Sequence, residues 1–299
     1  GASPVIVLGL GTASLFAAEA AGLLATSLLL VDCKEVTPVN PVRQVYATRQ
    51  VGQPKGEALA RTLAHRLAPD GAWEERAGPA GSRLLAGATG WVGHARLRVS
   101  DADPGSSMRL GELLDELRPG LAIVGMGRTH DDNFTATFEL RRRGIRHLTP
   151  SAFPGVTHFK HILTDGDSGP CYDCIQGHLT LDVGRGPALA EAERELFYGG
   201  SQPATLAETL PSAHSLLLLA AGLAAPAGAR PAHLVRELAS ERPCFVGANR
   251  VEREGQGWLY GLHRPLSMVT FGMQDLLPPS GPPRRCSCGR LNVGARSSG

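Results

Sequence analysis

Asp32-Cys33-Lys34-Glu35-Val36-Thr37-Pro38-Val39-Asn40-Pro41-Val42-Arg43-Gln44, continued by Val51-Gly52-Gln53-Pro54-Lys55, is the stretch on which the reading of this chain turns. It follows Ser27 to Val31, an apolar run that predicts a strand, so Asp32 sits at a strand end. A carboxylate placed there can accept hydrogen bonds from ribose hydroxyls. Upstream, Val5-Ile6-Val7-Leu8 predicts another strand and runs straight into Gly9-Leu10-Gly11-Thr12-Ala13-Ser14. Two glycines let a backbone turn tightly against a phosphate or sugar, and the helix that follows offers unpaired amides to an anion. Ser14 stands where dinucleotide folds usually place a third small residue. Beyond the carboxylate, Arg43 offers a planar fork for phosphate oxygens and Lys55 a compact charge for a polyphosphate. The chain has three lysines, Lys34, Lys55 and Lys160, which makes a lysine at a helix start less ordinary here. Taken singly, the glycine turn reads equally as a strand-to-helix connection, Asp32 as a strand-end cap and Lys55 as solvated surface.

The composition is ordinary for a soluble globular chain. At 299 residues the chain is long enough for a full core, and a formal charge of +2 gives no reason to expect nucleic acid as a partner. The longest apolar run, Leu216 to Ala225, is about half the roughly 20 residues a membrane span needs and predicts a buried helix. No membrane partner is expected. Pro4 to Leu8 lacks the basic flank of a signal peptide, which predicts a cytoplasmic protein. In a reducing compartment six cysteines point to metal or catalysis rather than to disulfides. Gly1-Ala2-Ser3 leads directly into the first strand, which leaves room for a natural amino-terminal segment ahead of it.

Strand-like and helix-like segments alternate through the first half. Helices are expected at Ala13 to Leu24, Lys55 to Leu67, Leu110 to Leu117 and Asp132 to Arg143. Strands are expected at Trp91 to Val99, Leu121 to Val124 and Arg146 to Leu148, with Asp70 to Gly87 read as a Gly/Pro/Ala-rich loop. This alternation predicts an α/β fold, a Rossmann-like, mostly parallel sheet with helices on both faces, whose ligands bind at the carboxyl ends of the strands. In the second half a strand is expected at Gly155 to Leu163, a helix at Leu206 to Ala225 and a hairpin from Cys244 to Leu262 turning at Glu254-Gly255-Gln256-Gly257. Pro278 to Pro283 reads as a linker and Val293 to Gly299 as part of a disordered tail.

Two further clusters carry chemistry. Thr129-His130-Asp131-Asp132-Asn133 follows the buried strand Leu121 to Val124, so a carboxylate there would face the same nucleotide and could hold Mg²⁺, although all three acidic or amide residues would also serve as helix caps. Cys171-Tyr172-Asp173-Cys174 and Cys286-Ser287-Cys288 supply four soft ligands in two local pairs, the number a structural Zn²⁺ takes. Each pair lies in Gly/Pro-rich sequence, where a clip between distant segments stabilises most. His158 and His161 are spaced like ligands but fall on an expected strand and read as ordinary polar residues. Outside the pairs, Cys33 reads as a buried strand-end residue and Cys244 as the start of a strand, neither with an activating neighbour; no acyl-thioester on this chain is expected.

Gly9-x-Gly11, Asp32, Asn40-x-x-Arg43-Gln44, Gly52-x-Pro54-Lys55, Asp132-Asn133 and the cysteine pairs together resemble the ThiF/MoeB/ubiquitin-activating-enzyme superfamily of adenylyltransferases. The resemblance runs from about Pro4 to Cys288, and the ordered combination is far more specific than any part. It implies one adenylation domain over residues 1–290, with a nucleotide-binding half at 1–150, a substrate and dimer half at 151–290 and a tail at 291–299. Gly9, Gly11 and Gln44 would line the nucleotide, Asp32 would bind ribose, and Asn40, Arg43 and Lys55 the phosphates of ATP. Family register favours Asp132 over Asp131 for Mg²⁺, leaving Arg43, Lys55 and Asp132 as the catalytic set. The first cysteine pair matches the family's zinc half-site, whereas the second departs from the usual Cys-x-x-Cys. The implied reaction is attack by the C-terminal carboxylate of a small ubiquitin-like protein, a sulfur-carrier protein or a peptide on the α-phosphate of ATP, releasing pyrophosphate. A homodimer, or pairing with a related chain, is implied as well. Many members also use an arginine from an amino-terminal arm, which here would come from a preceding segment or a partner.

Two other readings compete. A nicotinamide oxidoreductase would share the turn and the carboxylate, but its chemistry gives no reason for Arg43 and Lys55. A degenerate adenylation fold that only presents a peptide to a partner enzyme would not need Asp32, Arg43, Lys55 and Asp132 together.

Overall fold

A computed structural model describes residues 3–11, 13–23, 27–67, 72–88, 90–100, 103–126, 130–152, 158–166, 170–172, 174–175, 217–224, 230, 233, 237, 244–248 and 268–271. In chain order the elements are β1 (Val5–Leu8), α1 (Ala13–Leu23), β2 (Ser27–Val31), the single turn α2 (Asn40–Arg43), α3 (Lys55–Leu67), β3 (Glu74–Ala77), β4 (Arg83–Ala86), β5 (Trp91–Ala95), α4 (Pro104–Leu117), β6 (Leu121–Val124), α5 (His130–Arg142), β7 (His147–Ala152), β8 (His158–Thr164), β9 (Cys244–Ala248) and β10 (Met268–Phe271). The described strands form one sheet in the order β10-β9-β8-β7-β6-β1-β2-β5-β4-β3. Its middle, β5-β2-β1-β6-β7, is parallel throughout, and antiparallel strands extend it on both sides. The chain therefore reverses its direction of travel across the sheet between β1 and β6, which opens a crevice beyond their carboxyl ends.

Alternation of side chains along the central strands builds two cores. Val5, Val7, Leu28, Leu30, Leu121 and Ile123 face α1 and α3, while Ile6, Leu8, Leu29, Val31, Ala122 and Val124 face α4 and α5. Full burial of such side chains stabilises by about 1.5–3 kcal/mol each before the entropy of ordering them is counted. Helix α1, apolar on nearly every side, is covered in turn: Leu217, Leu219, Ala220 and Leu223 of the helical residues 217–224 join its core.

Several boundaries differ from the sequence reading. The stretch read as a loop from Asp70 to Gly87 contains the hairpin β3–β4, whose outer strand is exposed at every residue and braced by Arg76–Glu74 and Arg83–Glu75 ion pairs at 2.8 and 2.6 Å. Helix α4 starts at Pro104 rather than Leu110, because the Asp103 side chain accepts a hydrogen bond from Gly105 N and Pro104 suits a first helical position. Strand β5 ends at Ala95, short of Val99, whereas β7 runs on to Ala152. Of the helix expected over Leu206 to Ala225, residues 217–224 are described and are helical. Cys244 does open a strand, but its described antiparallel neighbours are β8 and β10; the expected turn at Glu254 to Gly257 and the return arm to Leu262 lie outside the described residues, as do Pro278 to Pro283 and residues 291–299.

Between β2 and α3 the chain leaves the sheet and returns. Val36 N donates to Gln53 O, Gly52 N to Val36 O and Lys55 N to Lys34 O, each at 2.9 Å, and Glu35 and Pro54 form an isolated bridge. Gly52 takes a φ of +87°, a left-handed conformation costly for other residues, to close this neck. Residues 36–53 thus form a loop with joined ends, and it carries α2.

Candidate functional site at the carboxyl ends of β1, β2 and β6

The glycine turn is built against the neighbouring strand. Gly9 has a φ of +84°, and a Cβ on it would stand 2.1 Å from Gly125 O, just past β6. No side chain fits there, so position 9 must be glycine for β1 and β6 to lie this close at the reversal point. Gly9 N donates to Val31 O and Gly125 N to Leu8 O, which ties the ends of all three strands together. Ser14, fully buried at the start of α1, donates its hydroxyl to Gly11 O at 2.7 Å and fixes the far side of the turn.

Asp32 binds this turn directly. One carboxylate oxygen accepts from Leu10 N and the other from Lys34 N, both at 2.8 Å. The strand-end role and the ligand role are compatible, since each carboxylate oxygen keeps a second lone pair and the side chain is half-buried rather than enclosed.

The loop over residues 36–53 brings the polar groups in from the opposite side. Asn40 is buried, and its Oδ1 accepts from Thr37 N at 2.8 Å, shaping the approach to α2. Arg43 is the last residue of α2. Gln44 is buried as well; its Nε2 lies 4.0 Å from where a Cβ on Gly11 would be, and its Oε1 accepts from Lys55 Nζ in a long 3.4 Å bond. Lys55 opens α3 with only 7% of its surface exposed, an unusual degree of burial for an ammonium group. Its Nζ lies 5.8 Å from the centre of the Tyr46 ring. Tyr46, also buried, donates its hydroxyl to Leu10 O at 3.2 Å. Burial, and then the Asp32 carboxylate, push the Tyr46 phenol well above its ordinary range, so it remains a neutral donor. The sequence reading did not single out Tyr46; a lone tyrosine two residues after a motif gives no signal of its own.

On the β6 side, Asn133 is buried in the first turns of α5 and its Oδ1 accepts from Met126 N at 3.0 Å. Asp132, the preceding residue, is half-buried. Gly9, Gly11, Asp32, Gln44 and Lys55 are thus joined through hydrogen bonds and close contacts, and Asn133 holds Asp132 to the end of the strand against which Gly9 packs.

The cysteines divide. Cys171 and Cys174 are both buried with sulfurs 3.4 Å apart, whereas Cys286 and Cys288 lie outside the described residues. Among the described residues no group of three or more His, Cys, Asp or Glu could hold a metal. His158 and His161 lie on β8 as expected, and His161 is buried. Cys33 corrects the sequence reading: it is half-buried instead of enclosed in the core, because the chain turns away from the sheet immediately after Asp32.

No protein-family model matches this sequence, and no curated protein matches it. Solved structures match its fold. An E. coli MccB structure with ATP aligns at 12% identity with a TM-score of 0.60, covering 97% of this chain and 67% of that one. The microcin C7 biosynthetic enzyme MccB in complex with N-formylated MccA aligns at 13% identity and 0.60, over 96% of this chain and 67% of that chain. PaaA aligns at 14% and 0.55, over 91% and 73%. Against E. coli MccB with succinimide, the present chain spans 66% of the other's length, just under two thirds. At such identities the likeness establishes the fold, which is the one that the resemblance to the ThiF/MoeB/ubiquitin-activating-enzyme superfamily implies.

Proposed function

We propose that this chain is an adenylating enzyme that joins AMP from ATP to the C-terminal carboxylate of a peptide. A carboxylate oxygen of the peptide attacks the α-phosphorus, the bond from that phosphorus to the bridging oxygen breaks, and pyrophosphate departs, leaving an acyl-adenylate. Both reactants are anionic, so the reaction calls for positioning and for cations rather than for a protein nucleophile. The observation that carries the reading is the buried Lys55 ammonium, joined through Gln44 and Tyr46 to the same glycine turn that Asp32 holds.

In this reading Gly9 and Gly11 let the backbone approach the nucleotide, and Asp32 receives the ribose hydroxyls on its remaining lone pairs. Asn40 and Gln44 shape the phosphate side, while Arg43 and Lys55 hold the phosphates and take up charge as pyrophosphate forms. Asp132 would hold Mg²⁺, which neutralises phosphate charge when bound; a half-buried carboxylate in the first turn of α5 has the right chemistry for it. MccB's structures with ATP and with N-formylated MccA support ATP and a peptide. Ubiquitin-like and sulfur-carrier proteins remain the alternative substrates. We place the enzyme in the cytoplasm, as a homodimer or paired with a related chain; among the described residues no helix is long and apolar enough to cross a membrane. Zinc held by Cys171, Cys174, Cys286 and Cys288 fits the close pair of buried sulfurs, and elemental analysis should find one per chain.

The test has two arms. Calorimetric titration should give tighter binding of Mg-ATP than of NAD; the reverse order would return the protein to the oxidoreductases. Peptides with free C-termini are then screened for pyrophosphate exchange into ATP. ATP binding without exchange for any peptide or carrier protein would favour a module that only presents its peptide.

A further inference from the structure

We infer that Tyr46 is a positioning residue of the nucleotide site, coupling the glycine turn to the Lys55 cation. The inference rests on the ATP-binding part of the reading above, and not on the chemistry of adenylation. Three observations carry it. The hydroxyl of Tyr46 donates to Leu10 O, the carbonyl in the middle of Gly9-Leu10-Gly11. Its ring lies 5.8 Å below Lys55 Nζ. The side chain is only 4% exposed, so neither contact is diluted by solvent.

The geometry explains why one side chain serves both ends. Leu10 is held from one side by Asp32, which accepts from Leu10 N, and from the other by Tyr46, which donates to Leu10 O. The two peptide units that flank Leu10 are thereby fixed, the first through its N–H and the second through its carbonyl, and with them the direction in which the amides of the turn point. The ring contact does something different. An aromatic face attracts a desolvated ammonium without neutralising it. Gln44 Oε1, which also meets Lys55 Nζ, is likewise uncharged and acts in the same sense. A carboxylate in the place of that ring would hold the lysine equally well but would cancel the charge that a polyphosphate needs. Tyr46 sits in a loop whose neck is closed by backbone hydrogen bonds, so its position relative to the sheet is set independently of the nucleotide.

The two contacts separate experimentally. Tyr46→Leu removes both, and Tyr46→Phe keeps the ring while removing the hydroxyl. Each is made in the wild-type and Lys55→Ala backgrounds, and Mg-ATP affinity is measured by calorimetry on the full chain, with AMP as a probe lacking the outer phosphates. Tyr46→Leu should weaken Mg-ATP about tenfold in the wild-type background and only about threefold with Lys55→Ala, the share of the lost hydroxyl, since the ring acts through that ammonium. Tyr46→Phe should weaken ATP and AMP alike by about threefold in both backgrounds, the cost of a loosened turn. A purely structural tyrosine would give the same loss in both backgrounds for Tyr46→Leu, and that result overturns the inference. Should Tyr46→Leu fail to fold, Tyr46→Phe decides: affinities equal to wild type for both ligands overturn it too. Coupled ATP binding without pyrophosphate exchange would preserve this inference while removing adenylation; a wild-type protein that binds no ATP would remove both.

Discussion

Two buried charges lie on opposite faces of the sheet, and the molecule treats them in opposite ways. On the α4–α5 face, Glu139 is 4% exposed; it accepts from Arg143 Nη1 at 2.5 Å, from Arg142 at 3.3 Å and from the Ser107 hydroxyl at 2.7 Å, while Arg143 also donates to Asp115 through Nε and Nη2. That network is neutralised from within and joins two helices. On the loop side, the neighbours of the Lys55 ammonium include a carboxamide oxygen and a ring face, neither of which neutralises it. Desolvation of an ion is costly, and internal ion pairing recovers that cost for the first group. For the second, a bound phosphate supplies part of the recovery in the proposed function. A buried charge tied into ion pairs between helices therefore speaks for architecture, and one that meets a carboxamide and a ring beside a glycine turn for a ligand.

The comparison is best broken by swapping Lys55 on one face, and Arg143, the partner of Glu139, on the other, for an apolar residue of similar length. The largest effect is expected from Lys55→Met: pyrophosphate exchange should fall by about 10² or more, while the melting temperature holds or rises. A clear loss of thermal stability with activity preserved would mean that the ammonium is structural after all. Arg143→Met should do the reverse. Removal of a partner from a fully buried pair costs roughly 3–5 kcal/mol, and the partial exposure of Arg143 and Asp115 lowers the expectation to about 2 kcal/mol. Urea unfolding measures that cost, and exchange activity per folded molecule should be unchanged; a wild-type midpoint would show that Ser107 and Arg142 satisfy Glu139 unaided.

The smallest effect concerns a third kind of buried group, one kept neutral. His147 on β7 is enclosed, its Nδ1 lies 3.0 Å from Ile145 O, and burial pushes its pKa down to about 4, with Arg141 acting in the same direction and Cys171 against it. The unfolded chain protonates this imidazole near its ordinary value of 6.5, where the folded chain does not. Stability is therefore complete above that value and is lost as pH falls from about 6.5 towards 4, at up to about 1.4 kcal/mol per pH unit. His147→Asn should flatten that part of the profile. An unchanged slope would assign it to other groups.

Most of the parallel core was legible because its signal is apolar and continuous. Val5–Leu8, Ser27–Val31, Lys55–Leu67 and Leu121–Val124 fall on the boundaries that their hydrophobic patterns predict. Glu74–Ala77 was illegible for the opposite reason: an exposed outer strand needs no hydrophobic alternation, and its support comes from ion pairs whose partners lie up to eight residues away. The capped start of α4 was present in the sequence as Asp103-Pro104, but a polar first turn hid it behind the apolar residues from Leu110 onward. At the site, the residue types and their order were readable, whereas the close approach of Gly9 to Gly125 and the joining of Tyr46 to both Leu10 and Lys55 depend on packing between distant segments.

The closed neck of the loop over residues 36–53 has a consequence for how such a site can change. Because Val36, Gly52 and Gln53 join the ends of the loop to each other, insertions or deletions at its outer side leave the entry and exit of the chain where they were. The entropic cost of a longer loop with fixed ends grows only as the logarithm of its length, about 0.6 kcal/mol per doubling. The outward-facing Val39, Val42 and Val51 are open to such replacement, while Asn40, Gln44 and Tyr46 point inward. The loop therefore works as an exchangeable cassette: its outer surface is free to be redrawn for a new client by recombination or by design, without refolding the sheet that bears it.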